Sequence, residues 1–222
     1  ESDKIKIDEF LSTAFTEIDL KIFKSFALNT GLRYEYSELI DKVKISPRFS
    51  SAYKISKNSQ VSYAYGKYYQ TPDIGFDLWY RQNNINLGNE FSYLDFEEST
   101  HNILNYEWSN KGKMLRFEIF DKQYENLILL ESNNLNNDGY GYSKGAEFFW
   151  RYDQSSDGVG RDIWIAYSYL DSKRKFKQYH EEIIPNFASE HKLTFIYKNG
   201  IKLLNGAGFN SSLAITATSG YP

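Results

Sequence analysis

The sequence predicts an all-β protein of about ten strands, an antiparallel up-and-down transmembrane β-barrel. Three observations predict it. Apolar side chains recur with period two, the alternating segments are long, and short and long connections follow one another along the chain.

The alternation begins clearly at Phe26. One face reads Phe26, Leu28, Thr30, Leu32, Tyr34, Tyr36, and the other reads Ala27, Asn29, Gly31, Arg33, Glu35. Ile45, Pro47, Phe49, Ser51, Tyr53 and Ile55 then oppose Ser46, Arg48, Ser50, Ala52 and Lys54. Val61, Tyr63 and Tyr65 oppose Ser62, Ala64 and Gly66. Further on, Ile163, Ile165, Tyr167 and Tyr169 oppose Asp162, Trp164, Ala166 and Ser168, and Leu193, Phe195 and Tyr197 oppose Lys192, Thr194 and Lys198. No segment of helical length carries a clean 3.6-residue stripe.

These patterns predict strands near 6–22, 26–36, 44–55, 60–69, 99–108, 113–126, 139–152, 161–170, 189–198 and 205–218. Their length suits the roughly 9–11 residues of a tilted membrane strand better than the about five or six of soluble strands. Short turns are expected at 23–25, 56–59, 109–112, 154–160 and 199–205, and longer links at 37–43, 70–98, 127–138 and 171–188. Tight turns at one end and longer loops at the other are the asymmetry of outer-membrane barrels.

Composition narrows the classes. The chain has 222 residues with 19 Tyr, 16 Phe and 4 Trp, no Cys, and a formal net charge of -3. A nucleic-acid partner is not expected, because its electrostatic footprint would be a basic face. So many rings do not belong to a disordered acidic chain. Without Cys there is neither a disulfide framework nor a thiolate metal site. No apolar run reaches the roughly 20 residues of a membrane helix, which leaves strands as the way across. The apolar faces end in Tyr or Trp at Tyr34/Tyr36, Tyr65, Tyr106/Trp108, Trp150/Tyr152 and Tyr167/Tyr169. Amphipathic rings of this kind form girdles at membrane interfaces. A soluble carbohydrate-binding β-sandwich would share the period but has no use for the girdles.

Catalytic chemistry finds little support. His101, His180 and His191 match no zinc spacing, and no serine lies in a G-x-S-x-G setting. A complete ten-stranded outer-membrane hydrolase is the competing enzyme reading, with His191 and Asp171, or His101 and Asp95, as its pairs. We expect no catalytic residue, no metal site and no cofactor. Ligand contact is expected in the loop 70–98, where Phe76, Trp79, Tyr80, Arg81, Asn83 and Asn84 combine stacking rings with directional donors. The basic run Lys173-Arg174-Lys175-Phe176-Lys177 reads either as an anion attractor or as a solvated loop.

Several motifs in order resemble one family. Gly31-Leu32-Arg33-Tyr34-Glu35-Tyr36 is similar to the GLRYEY strand of TonB-dependent outer-membrane receptors. Residues 46–72 resemble their SPR…AYG.FYQTP hairpin, and residues 94–108 the acidic and serine lead into the next strand. Residues 137–153 resemble the GYA.G.ELF strand, and residues 164–176 and 184–197 the SYSYLD hairpin and its P.F…H.L return. Residues 217–222 resemble ASGRPY, with Tyr221 where Arg is usual.

The resemblance implies a portion of a larger barrel, usually of 22 strands with a plugged lumen. Its partners would be outer-membrane lipid, the remaining barrel strands, a plug domain, the TonB complex acting through that plug, and an extracellular nutrient. The implied location is the outer membrane of a Gram-negative bacterium, and siderophore, cobalamin, glycan or peptide are the implied cargoes. Neither a plug nor a TonB box is recognisable in these residues. Nothing in Glu1-Ser2-Asp3-Lys4 resembles a signal peptide.

Overall fold

Ten strands form one antiparallel sheet in strictly sequential order, in a computed structural model that describes residues 10–73, 93–131, 134–156, 159–203 and 206–220. They are β1 (Leu11–Phe23), β2 (Phe26–Ser37), β3 (Lys42–Lys54), β4 (Ser59–Gln70) and β5 (Glu97–Asn110). β6 (Lys113–Glu131), β7 (Asn134–Asp153), β8 (Gly160–Lys175), β9 (His191–Lys202) and β10 (Gly208–Thr218) complete the order. Among the described residues β1 and β10 do not pair with each other, as a closed ten-stranded barrel requires. Nor, among the described residues, does a second sheet pack on the first, as a sandwich requires.

Register fixes which side chains share a face, because successive Cβ atoms alternate across a strand. Arg33 pairs with Ser46, Gly31 with Arg48, and Asn29 with Ser50, so these stand on one face with Glu35. Following the pairs onward carries the same face through Ser62, Asn105, Glu118 and Glu147 to Ser168, Lys192 and Thr218. Side chains of six strands on this face, among them Asp19, Asn29, Gln60, Asn105, Glu107 and Arg116, line a single cavity. The sheet therefore curves toward this face, which we call the inner one.

The polarity of the two faces is inverted relative to a soluble protein. Buried polar strand residues are Glu35, Ser37, Ser46, Ser143, Asp162 and Ser172, all inner by register. Exposed large apolar residues are mostly outer, among them Leu32, Ile45, Leu104, Phe117, Leu193 and Ile215, with Leu11, Phe15 and Tyr68 as inner exceptions. Every Tyr and Trp read as a girdle residue is on the outer face. Trp150 and Tyr152 stack there with centroids 6.3 Å apart. The outer positions turn polar toward the far ends of β6 and β7, where Lys144 meets Asp121 at 3.6 Å. Beyond that level the two strands run past the apolar band.

Two connections differ from the sequence expectation. The link read as 127–138 is a strand hairpin, since Leu130 pairs with Leu135 and Glu131 with Asn134. The link read as 37–43 shrinks to 38–41, no longer than the turn at 55–58. Loop length therefore does not alternate strictly. Polar, Asn-rich residues imitate a loop locally, but cross-strand partners extend the ladder through them.

A small apolar core caps the loop end of the sheet. Ile40, Leu94, Phe96, Ile128 and Leu135 are buried together, with Leu39, Tyr69 and Leu130 packed on them. The cap faces a break in the wall. β3 and β4 pair only from Arg48/Gly66 toward the turn end, although β3 continues to pair with β2 above that level. The ladder stops at Pro47, which has no N–H to contribute. Lys44 bridges the break, its Nζ lying 3.0 Å from Asp95 and 5.5 Å from the Tyr69 ring centroid.

At the turn end the β5–β6 connection is a two-residue turn, with Lys111 at φ 45° and Gly112 at φ 76°. Positive φ at both positions matches the right-handed twist of a hairpin. A Cβ on Gly112 would also run into the Asp153 carbonyl. Gly112→Ala should destabilise by at least about 1 kcal/mol, read as a lower urea midpoint for the full-length protein in lipid vesicles. An unchanged midpoint would contradict the turn geometry.

Candidate functional site

The inner face combines cations with aromatic rings. Toward its turn end Arg151 donates from Nε to Asp162 Oδ1 at 2.9 Å and from a terminal nitrogen to Asp162 Oδ2 at 3.1 Å. The same terminal nitrogen reaches Asp153 at 2.8 Å, and Trp164 Nε1 donates to Asp162 Oδ1 at 2.6 Å. Arg151 and Lys198 both lie 5.0 Å from the Trp164 ring. Asp162 is almost wholly shielded, so it tolerates its charge only with these donors. Arg151→Met should cost about 1–3 kcal/mol, below the usual cost for a buried pair because Arg151 is itself partly exposed. The double change with Asp162→Asn should recover part of the loss in the same urea titration.

Nearer the loop end are two further arginines. Arg48 lies 4.9 Å from the Tyr68 ring, whose other neighbour is the His101 imidazole at 4.6 Å. Gly66 makes room for this arrangement, since a Cβ there would stand 2.9 Å from the Tyr68 ring. Arg174 lies 4.0 Å from the Tyr124 ring and 5.2 Å from that of Phe187. Its β7 partner Gly141 leaves space that a side chain would fill. The Nε atoms of both arginines are buried without a hydrogen-bond partner. Hydration or a ligand is what such donors are suited to meet.

Comparison with known proteins places this wall. The model of the family described as TonB dependent receptor-like, beta-barrel, matches residues 2–217. The chain belongs to the TonB-dependent receptor β-barrel family. None of the curated proteins matches it by sequence. Among solved structures, the ferric yersiniabactin uptake receptor FyuA of Yersinia pestis superposes with a TM-score of 0.72 at 13% identity, covering 95% of this chain and 34% of FyuA. The outer membrane transporter YddB of Escherichia coli gives 0.69 at 14% identity, with 95% and 38% covered. The ferric-catecholate import receptor Fiu of E. coli K12 gives 0.65 at 14%, with 93% and 34% covered. The chain thus spans about a third of the length of these receptors.

The residues expected to touch ligand are not among those the structure describes: Phe76, Trp79, Tyr80, Arg81, Asn83 and Asn84 all lie in 74–92. The described residues on either side of that segment are firmly held. Pro72 on one side and Leu94 and Phe96 on the other are fully buried. Asn137 holds Asp95 through both backbone groups, accepting from its N–H at 2.7 Å and donating to its carbonyl at 3.0 Å. The hydrolase pairs are not brought together. His191 bonds the Tyr167 hydroxyl at 2.9 Å while Asp171 accepts from Tyr142, and His101 bonds Ser99 at 2.7 Å while Asp95 binds Lys44. Among the described residues no three His, Asp or Glu side chains gather where they could hold a metal. No sequence motif marks Arg48, Tyr124 or Phe187, because their role depends on partners in other strands or loops.

Proposed function

We propose that this chain is part of the barrel of an outer-membrane receptor that imports a scarce nutrient into a Gram-negative bacterium. Siderophore, cobalamin, glycan and peptide are the cargo classes. The inverted polarity of the sheet carries the reading, with Leu32, Phe117 and Ile215 outward and exposed while Glu35, Ser46 and Asp162 are inward and shielded. An apolar exterior is what hydrocarbon demands of a barrel wall, and a polar interior suits a hydrated or plugged lumen. Membership of the receptor family supports the same role. In this reading outer-membrane lipid covers the outer face, while further strands and a plug complete the receptor. The TonB complex supplies the energy through the plug.

Ferric chelates are the first cargo to test, since FyuA and Fiu are named for taking them up. Cells expressing the full-length receptor should accumulate labelled iron from a panel of ferric siderophores only when TonB is present. They should lose that accumulation when the receptor gene is deleted. Recovery of the protein in the soluble fraction, or TonB-independent accumulation, would overturn the reading. Labelled cobalamin, oligosaccharide and peptide run in parallel assign the cargo if iron chelates are not taken up.

A further inference from the structure

We propose that Arg174 is the recognition arm of a cargo subsite at the loop end of the inner face, and that the group it takes is a carboxylate. The proposal rests on the importer reading above and adds to it the chemistry of one contact. It starts from the basic run 173–177, whose members the fold treats differently. Lys175 Nζ lies 3.4 Å from Glu131, and Lys177 Nζ lies 3.0 Å from Asp73. Lys173 stands on the outer face, opposite Tyr142. Of the three members that lie in β8, Arg174 is the one on the inner face, and among the described residues no carboxylate is within ion-pair distance of it.

Its setting is a built one. The main chain of Arg174 is pinned to Ile183 by two hydrogen bonds, each of 2.9 Å. The guanidinium is flanked by Tyr124 at 4.0 Å and Phe187 at 5.2 Å, and the buried Nε has no partner. A Cβ on the facing Gly141 would stand 2.6 Å from Arg174 Cγ, so the arm passes where only glycine allows it. Glu97 feels the charge of Arg174 and accepts the Ile128 N–H at 3.0 Å, but it is not within ion-pair distance of the guanidinium. Stacking on rings leaves the in-plane edge of the guanidinium for hydrogen bonding. A flat carboxylate meets that fork with two parallel N–H···O bonds.

The test uses the full-length receptor in detergent, titrated calorimetrically with citrate as a carboxylate probe and with inorganic phosphate at equal ionic strength. Saturable citrate binding is expected, weakened at least about tenfold in Arg174→Gln. Arg174→Lys, which keeps the charge but loses the fork, should fall between the two. Phe187→Ala, at an exposed loop position, should weaken binding several-fold with the fold intact, and it reads the site if Arg174→Gln does not fold. Absence of citrate binding to the unaltered receptor, equal affinity in Arg174→Gln or Phe187→Ala, or phosphate competing as well as citrate would each overturn the proposal. The importer reading fails separately, through loss of TonB-dependent uptake in cells. Intact uptake beside an unaltered Arg174→Gln titration defeats the subsite alone.

Discussion

Phe96→Ala is expected to destabilise the loop-end cap by about 3–5 kcal/mol, the usual cost of emptying a shielded aromatic site. Phe96 is 1% exposed, sits among Ile40, Leu94, Ile128 and Leu135, and meets the Tyr69 ring edge-on at 6.3 Å. The cap is the largest cluster of shielded apolar side chains among the described residues. The loss should therefore be local. Backbone amides of Ile128 and Leu130, which bond the Glu97 carboxylate and the Lys177 carbonyl, should exchange with deuterium far faster in the variant. Those of the β9–β10 ladder should be unaffected. Uniform protection in both proteins would show that the cap is not an independent core.

Leu32→Arg is expected to cost about 2–4 kcal/mol if its level is near the bilayer midplane. Leu32 is 53% exposed on the outer face and pairs with Pro47, so a guanidinium there would lie against hydrocarbon without a partner. Asn29→Arg puts the same side chain on the inner face, beside Asp19, whose carboxylate now accepts from Asn29 at 2.7 Å. That change should be tolerated within about 0.5 kcal/mol. Urea titration of the refolded receptor in vesicles compares them directly. Equal cost at both positions would reverse the assignment of faces.

Much of the fold was legible because period two is local information. Leu28, Leu32 and Tyr34 declare their face without knowledge of any partner, and ten alternating segments correspond to ten strands. Strand ends were less legible, because pairing, not composition, decides them. Residues 134–138 carry turn-forming Asn and Asp, yet Leu127–Leu130 opposite them have a cap to fill and draw the hairpin outward. The candidate site was read least. The basic run was visible, but lysines and an arginine in one stretch look alike until Glu131 and Asp73 claim two of them and Tyr124 and Phe187 flank the third. Those neighbours come from β6, from the segment after β4 and from the loop after β8, distances along the chain that no motif spans.

The inversion of polarity across the sheet is open to one direct measurement, since the chain has no cysteine of its own. Single cysteines placed in turn along β2, from Phe26 to Ser37, can be challenged in lipid vesicles with a water-soluble maleimide and with a membrane-partitioned one. Through the membrane-embedded stretch the account predicts strict alternation, with positions 28, 30, 32 and 34 reacting from the lipid phase and 29, 31 and 33 from water. Reactivity toward the aqueous reagent at every position, or alternation of the opposite phase, would contradict it.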